Sequence, residues 1–215
     1  MTKPKNKEFK NWLYDDIEQT FGLTRLYEHK FWNEFETLTT PSNHKHIDAI
    51  EELRKDLLKY VDTWNEDELK FMFISPFINL VKYTSNKYKV FTQRPMSVQY
   101  ENGTKTTSGK VEFMLAQGKQ TPRKPFFFLH EYKQENRRNN DPLGQLLIAM
   151  VAAQVQNADN ETLYGCYVSG RNWFFVFLKD KEYAVSGAYD AAEKTIYQLF
   201  AILLWFKQKT EEKFS

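Results

Sequence analysis

One cysteine, Cys166, among 215 residues excludes a disulfide framework and any multi-thiolate zinc site. Glycine and proline are scarce, 8 and 7, and scattered, so no flexible linker divides the chain. No apolar run approaches the ~20 residues of a membrane-spanning helix. The opening MTKPKNKEFKNWLYDD is charged throughout and has no signal-peptide core, so a cytoplasmic chain without membrane contact is expected. Charge of one sign is missing too: 30 basic residues against 28 acidic leave +2, and composition alone does not argue for a polyanionic partner. Phosphate-binding P-loops, dinucleotide fingerprints and nucleophile elbows are absent.

Aromatic residues, by contrast, are plentiful at 16% of the chain, and 41% of residues are hydrophobic. That composition supports one well-buried domain. Apolar spacing of three and four residues predicts helices near 8–20, 24–37 and 44–60, forming an N-terminal helical extension over 1–62 that packs on the core. A helix over 66–82 starts at Asn65 with Glu68 three residues later, a capping-box spacing, and Pro76 should kink or split it near Ser75. Short aromatic and β-branched runs at 88–100, 109–117, 125–133, 163–169, 172–179 and 182–187 read as strands. Asn102-Gly103, Gly118-Lys119 and Gly170-Arg171 supply turns. A helix over 142–157 begins with Asp141 as N-cap and Pro142 at its first position, and a last helix covers about 189–208. This order predicts an α/β fold with a mixed sheet between helices, in one globular unit with its core over 63–215.

The run FFFLHEYK, residues 126–133, ends a buried strand with Glu131 and Lys133 two residues apart, on one face. The preceding strand, GKVEFML from Gly109, carries one acid, Glu112, among apolar residues. Two carboxylates can hold a Mg²⁺ or Mn²⁺ ion while leaving its shell open to water and phosphate. A lysine beside them can position or deprotonate that water. The plain alternative is a salt-bridged strand end. A hairpin of 109–117 with 125–133 brings Glu112 to the Glu131 end only through a twist or bulge, and its register is open. Gln145 begins a narrow stripe with Ala149, Ala152 and Gln156 on a helix otherwise apolar all round, so it either faces the strand ends or simply terminates a packing stripe. Glu68, Ser75 and Asn79 share a face of the 66–82 helix; Glu68 either reaches a metal or completes the capping box.

Lys110, Arg137, Arg138 and Arg171, with Lys105, Lys119, Arg123 and Lys124, lie in or beside the predicted loops near these strand ends. Converging, they would make a phosphate-binding rim; dispersed, they are solvated loop charge. Trp173 and Cys166 read as core, and His130 as structural.

The order of an acid-bearing helix, an acid shortly after a glycine in Gly109-Lys110-Val111-Glu112, E-x-K at Glu131 to Lys133, and a helix with Gln145 resembles the PD-(D/E)XK nuclease superfamily. The hairpin YGCYVSGRNWFFVFL from Tyr164 is similar to one in branches related to type I restriction N-terminal nucleases and Crinkler-type domains. The resemblance covers about 65–205. It implies a restriction-endonuclease-like fold and Mg²⁺- or Mn²⁺-dependent hydrolysis of nucleic acid, DNA before RNA, with a homodimer allowed. It assigns metal binding to Glu112, Glu131 and Glu68, the catalytic lysine to Lys133, and a supporting role to Gln145. Glu112 stands where the family usually has Asp, and Ala149 where Tyr often follows the helix Gln. The alternative within the family is an inactive module that binds nucleic acid or protein.

Overall fold

The structure, a computed structural model, describes residues 7–40, 42–124, 128–133, 141–159 and 161–215; the side chains of 128–131 and 133 lie outside that description. In chain order the elements are β1 (Lys7–Glu8), a 3₁₀ turn (Phe9–Asn11), α1 (Tyr14–Phe21), β2 (Thr24–Leu26), α2 (Lys30–Thr37) and α3 (His44–Tyr60). Then come α4 (Glu66–Leu69), a π-helical stretch (Lys70–Ile74), α5 (Ser75–Val81), β3 (Lys89–Tyr100), β4 (Lys105–Ala116) and β5 (Phe128–Lys133). The chain closes with α6 (Pro142–Asn157), β6 (Leu163–Ser169), β7 (Asn172–Lys179), β8 (Glu182–Val185), β9 (Tyr189–Asp190) and α7 (Thr195–Lys213).

Among the described residues the strands form one mixed sheet flanked by helices, in the order β1-β4-β5-β6-β7-β8-β2, with β3 on β4 and β9 on β7. The β3–β4 turn runs through three consecutive residues with positive φ, Glu101, Asn102 and Gly103. β5 returns antiparallel to β4, and α6 then crosses over to place β6 parallel to β5. Each face of the sheet has its own core. One, built largely from aromatic residues, joins α2, α3, α5 and α7 through residues such as Phe35, Phe77, Trp173, Phe175 and Phe206. The other, mostly aliphatic, centres on α6, whose Leu146, Leu147, Ile148 and Met150 are all within 1% of complete burial. Each such side chain contributes roughly 1.5–3 kcal/mol by leaving water. No helix among the described residues is long and apolar enough to cross a membrane.

Two expectations change. The first 60 residues are not wholly helical, because β1 pairs in parallel with β4 and β2 with β8, so this segment adds strands at two separate places in the sheet. Trp12 Nε1 donates to the buried Thr107 hydroxyl at 2.8 Å, and that hydroxyl donates to the Lys7 carbonyl at 2.6 Å, which ties β1 to β4. Asp141 does precede α6, but its carboxylate accepts the backbone N–H of Tyr14 at 2.8 Å and so serves the first turn of α1. Gly144 lies so near this segment that an added Cβ would stand 2.4 Å from the Trp12 carbonyl.

Candidate functional site

Pro76 has no N–H to donate, and the helix ahead of it changes pitch rather than bending. Asn65 and Glu68 cap α4 reciprocally: Glu68 N–H donates to Asn65 Oδ1 at 2.9 Å and Asn65 N–H to Glu68 Oε2 at 2.8 Å. The chain then widens into the π-helical stretch, where Ser75 N–H reaches the Lys70 carbonyl, and narrows again as α5. The split expected near Ser75 is therefore present as a local change of helix type.

The hairpin facing this helix is irregular at the matching level. Its ladder runs from Lys89↔Ala116 to Tyr100↔Lys105 and omits only Gln93 and Glu112. Gln93 has a φ of 53°, a left-handed conformation that a side chain of its kind adopts at a cost of order 1 kcal/mol. Strand alternation demands even spacing on one face. Yet Val111 and Met114 share the α6-side core, as do Phe91 and Met96 on the partner strand. Both strands therefore change face together at Gln93 and Glu112.

This concerted turn aims Glu112 at the split helix. Its Oε2 accepts from Gln93 Nε2 at 2.5 Å and lies 3.0 Å from the Lys70 ammonium, which also holds Glu66 Oε1 at 2.7 Å. The three charged side chains are largely enclosed, 14–21% exposed. Burial pulls the Lys70 ammonium toward deprotonation, but hydrogen bonds to Glu66 and then Glu112 outweigh it, and its pKa is raised. Lys70, Gln93 and Glu112 border a cleft of about 440 Å³ whose walls include Ser75, Asn79, Phe113 and Tyr132. Ser75 and Asn79 come from the polar stripe read on the 66–82 helix. Glu68 does not join them: its carboxylate belongs to the capping box, at a shallower depression shared with Phe71 and Met72.

The register of β5 answers the question left open by the hairpin. Phe113 pairs with His130 and Met114 with Leu129. The paired stretch ends there, one step short of Glu112 and Glu131, at the position where β4 itself changes face. The irregularity lies on the other edge of β4, toward β3. Lys133 pairs with Ser169 of β6, immediately before the Gly170–Arg171 turn. Lys110, Glu112, Glu131, Lys133 and Arg171 therefore occupy neighbouring positions toward one end of the sheet. Lys110 is exposed, and the Arg171 guanidinium is paired with Asp190 at 3.3 Å. Arg137 and Arg138 lie outside the described residues. Gln145 is partly buried in the first turn of α6, and its Oε1 is shielded from solvent without a hydrogen-bond partner.

Among the described residues no group of three or more His, Cys, Asp and Glu is placed to hold a metal ion. A Mg²⁺ or Mn²⁺ site needs only one or two protein carboxylates if water and phosphate fill the remaining positions. Glu112 is one such carboxylate, but it lies on the cleft side of the sheet with Tyr132, and Glu131, adjacent to Tyr132 on that extended strand, falls on the α6 side. The register therefore does not bring the two expected metal ligands to one face, and Glu112 is already neutralised by Lys70. Trp173 and Cys166 are fully buried, as expected for core residues, and burial pushes the Cys166 thiol well up.

Lys70 is the residue that sequence reasoning missed. Its signal was a lone cation within Leu69-Lys70-Phe71-Met72-Phe73-Ile74, an otherwise apolar run leading to Pro76. No known family model matches this chain, and comparison with curated proteins also gives no match.

Proposed function

We propose that this chain is a divalent-cation-dependent phosphodiesterase acting on nucleic acid, with a restriction-endonuclease-like fold. The observation that carries this reading is the Gln145 amide oxygen, buried without a partner on α6, the helix that packs on the strand of Glu131 and Lys133. In it, Glu131 holds Mg²⁺ or Mn²⁺, with water and phosphate filling the remaining positions, and Lys133 orients the attacking water. The bound ion stabilises negative charge developing on the phosphate. Gln145 supports the constellation from α6; a buried amide oxygen without a partner costs about 1–3 kcal/mol, and contact with a site water or substrate would recover it. Lys110 and Arg171, with Arg137 and Arg138, supply the phosphate-binding rim, and DNA is the favoured substrate. Cutting both strands of a duplex from one site per chain calls for two copies.

The test is hydrolysis of single- and double-stranded DNA by purified protein with Mg²⁺ or Mn²⁺. Glu131→Gln and Lys133→Met should each lower the rate by at least about a hundredfold with unfolding midpoints retained. Wild-type rates in the Glu131→Gln, Lys133→Met double variant would refute the assignment.

A second reading has its own observation. Glu112 already has Lys70 and Gln93 as partners and needs no ion for neutralisation. A non-catalytic module that keeps the cleft for binding nucleic acid or a protein partner would show that pairing permanently, and would bind DNA without cutting it.

A further inference from the structure

We infer that the cleft between the split helix and the β3–β4 hairpin binds a small uncharged heterocycle carrying an amino group, of the kind found in cytosine and adenine. The inference stands apart from the nuclease reading, because Glu131 falls on the α6 side of the sheet and this cleft opens on the other. A volume of about 440 Å³ lies within the ordinary range for ligand pockets. Its apolar surface comes from two directions, Ile78 on α5 and Val90, Phe113 and Tyr132 on the sheet. That arrangement suits a ring held between helix and sheet. Both walls also carry backbone irregularity, the π-helical stretch on one and the left-handed Gln93 on the other, a pattern that accompanies function.

The polar groups select the chemistry of the ligand. Gln93 Nε2 and Lys70 Nζ both contact Glu112 Oε2, so Glu112 Oε1 and Gln93 Oε1 remain as acceptors. Ser75, Asn79 and Thr92 line the same space, and their side chains have no hydrogen-bond partner among the described residues. Lys70, the one cation in the lining among the described residues, is shared between Glu66 and Glu112, so an anion finds no free positive charge. A second ammonium on Glu112 would face that of Lys70 across one carboxylate and be repelled. A neutral donor remains, and an amino group offers two N–H bonds to two oxygens that only accept.

Calorimetric titration of the intact protein with free nucleosides tests this. Cytidine and adenosine should bind at least about tenfold more tightly than uridine and inosine, whose carbonyl oxygens would meet acceptors only. Glu112→Gln should reverse the preference. Lys70 and Gln93 both donate to one oxygen, so the new amide keeps its oxygen there and turns its NH₂ to the cleft. Uridine should then bind at least as tightly as cytidine. Asn79→Trp, at an exposed position on the cleft wall, should fill the space and weaken cytidine by at least about tenfold, with unfolding midpoints of both variants measured alongside. A short oligodeoxycytidine that binds more tightly than cytidine would place the base in a nucleic-acid strand, and one that binds more weakly would make the ligand a free nucleoside; both support the inference. Equal affinity for amino and carbonyl nucleosides, a cytidine preference that survives in Glu112→Gln, or no binding of any nucleoside would overturn it. So would displacement of cytidine by putrescine or by inorganic phosphate.

Discussion

Two cations in this molecule each pair with glutamate, and they do so in opposite ways. Arg54 on α3 grips Glu51 through two nitrogens, at 2.9 and 2.6 Å, and donates a third bond to the Ala192 carbonyl at 2.8 Å. Glu51 also accepts from the Tyr197 hydroxyl at 3.1 Å, so the group fastens α3 to the start of α7. Lys70 makes single contacts to Glu66 and Glu112, bordering a cleft. The arginine is a planar fork whose bonds are all committed locally, while the lysine is a point charge shared between carboxylates. The difference teaches that an ion pair's role follows from what surrounds it. Around Arg54 lies regular helix, and around Lys70 lie a π-helical stretch and a left-handed glutamine.

The larger of the effects that would break or sharpen this contrast comes from removing the shared cation. Lys70→Met leaves the enclosed Glu66 and Glu112 carboxylates without it and should cost about 2 kcal/mol at neutral pH. Denaturant unfolding checks this, and a loss smaller than that of Arg54→Met would erase the distinction drawn between the two cations. The smaller effect lies at Arg54. Its hydrogen bonds hold the Glu51 carboxyl down at about 2 against an ordinary 4.5. A folded-state pKa below the unfolded one means that the contribution is fully present above about 4.5 and is lost as pH falls toward 2. Because the pair is only partly sheltered, Arg54→Met should cost about 1 kcal/mol at neutral pH. Denaturant unfolding across pH should show the gap to wild type narrowing between about pH 4.5 and 2, with cleavage at neutral pH unaltered.

Much of the fold was legible because its signals are local. The helix over 44–60 was read at its observed bounds, and Asp141-Pro142 marked the start of α6 correctly. Pro76 announced the interruption that became the π-helical stretch. The two-residue strand at Lys7–Glu8 and the three-residue strand at Thr24–Leu26 are too short to carry a period, and their conformation is set by β4 and β8. For the same reason Tyr189–Asp190, expected within the last helix, is a strand on β7.

At the site, residue identity was easier to read than geometry. Glu112 was noticeable as an acid inside an apolar strand, and Ser75 and Asn79 as polar positions on an apolar helix. Glu68 shared that face, but a local backbone bond claimed it. The left-handed Gln93 was invisible, since alternation is read on the assumption of extended backbone throughout. Lys70 was passed over because a lysine four residues after Glu66 looks like an ordinary surface helix pair. Only the tertiary fold brings Glu112 within 3.0 Å of it.

The central claim is that the Glu131–Lys133 strand end is a divalent-dependent hydrolytic site. Cleavage of DNA in Mn²⁺ by wild type and by the Glu131→Gln, Lys133→Met double variant tests it most directly. The account predicts divalent-dependent cleavage by wild type and a loss of at least about a hundredfold in the variant, with its unfolding midpoint retained. Equal rates in the two proteins, or no cleavage by wild type, would contradict it.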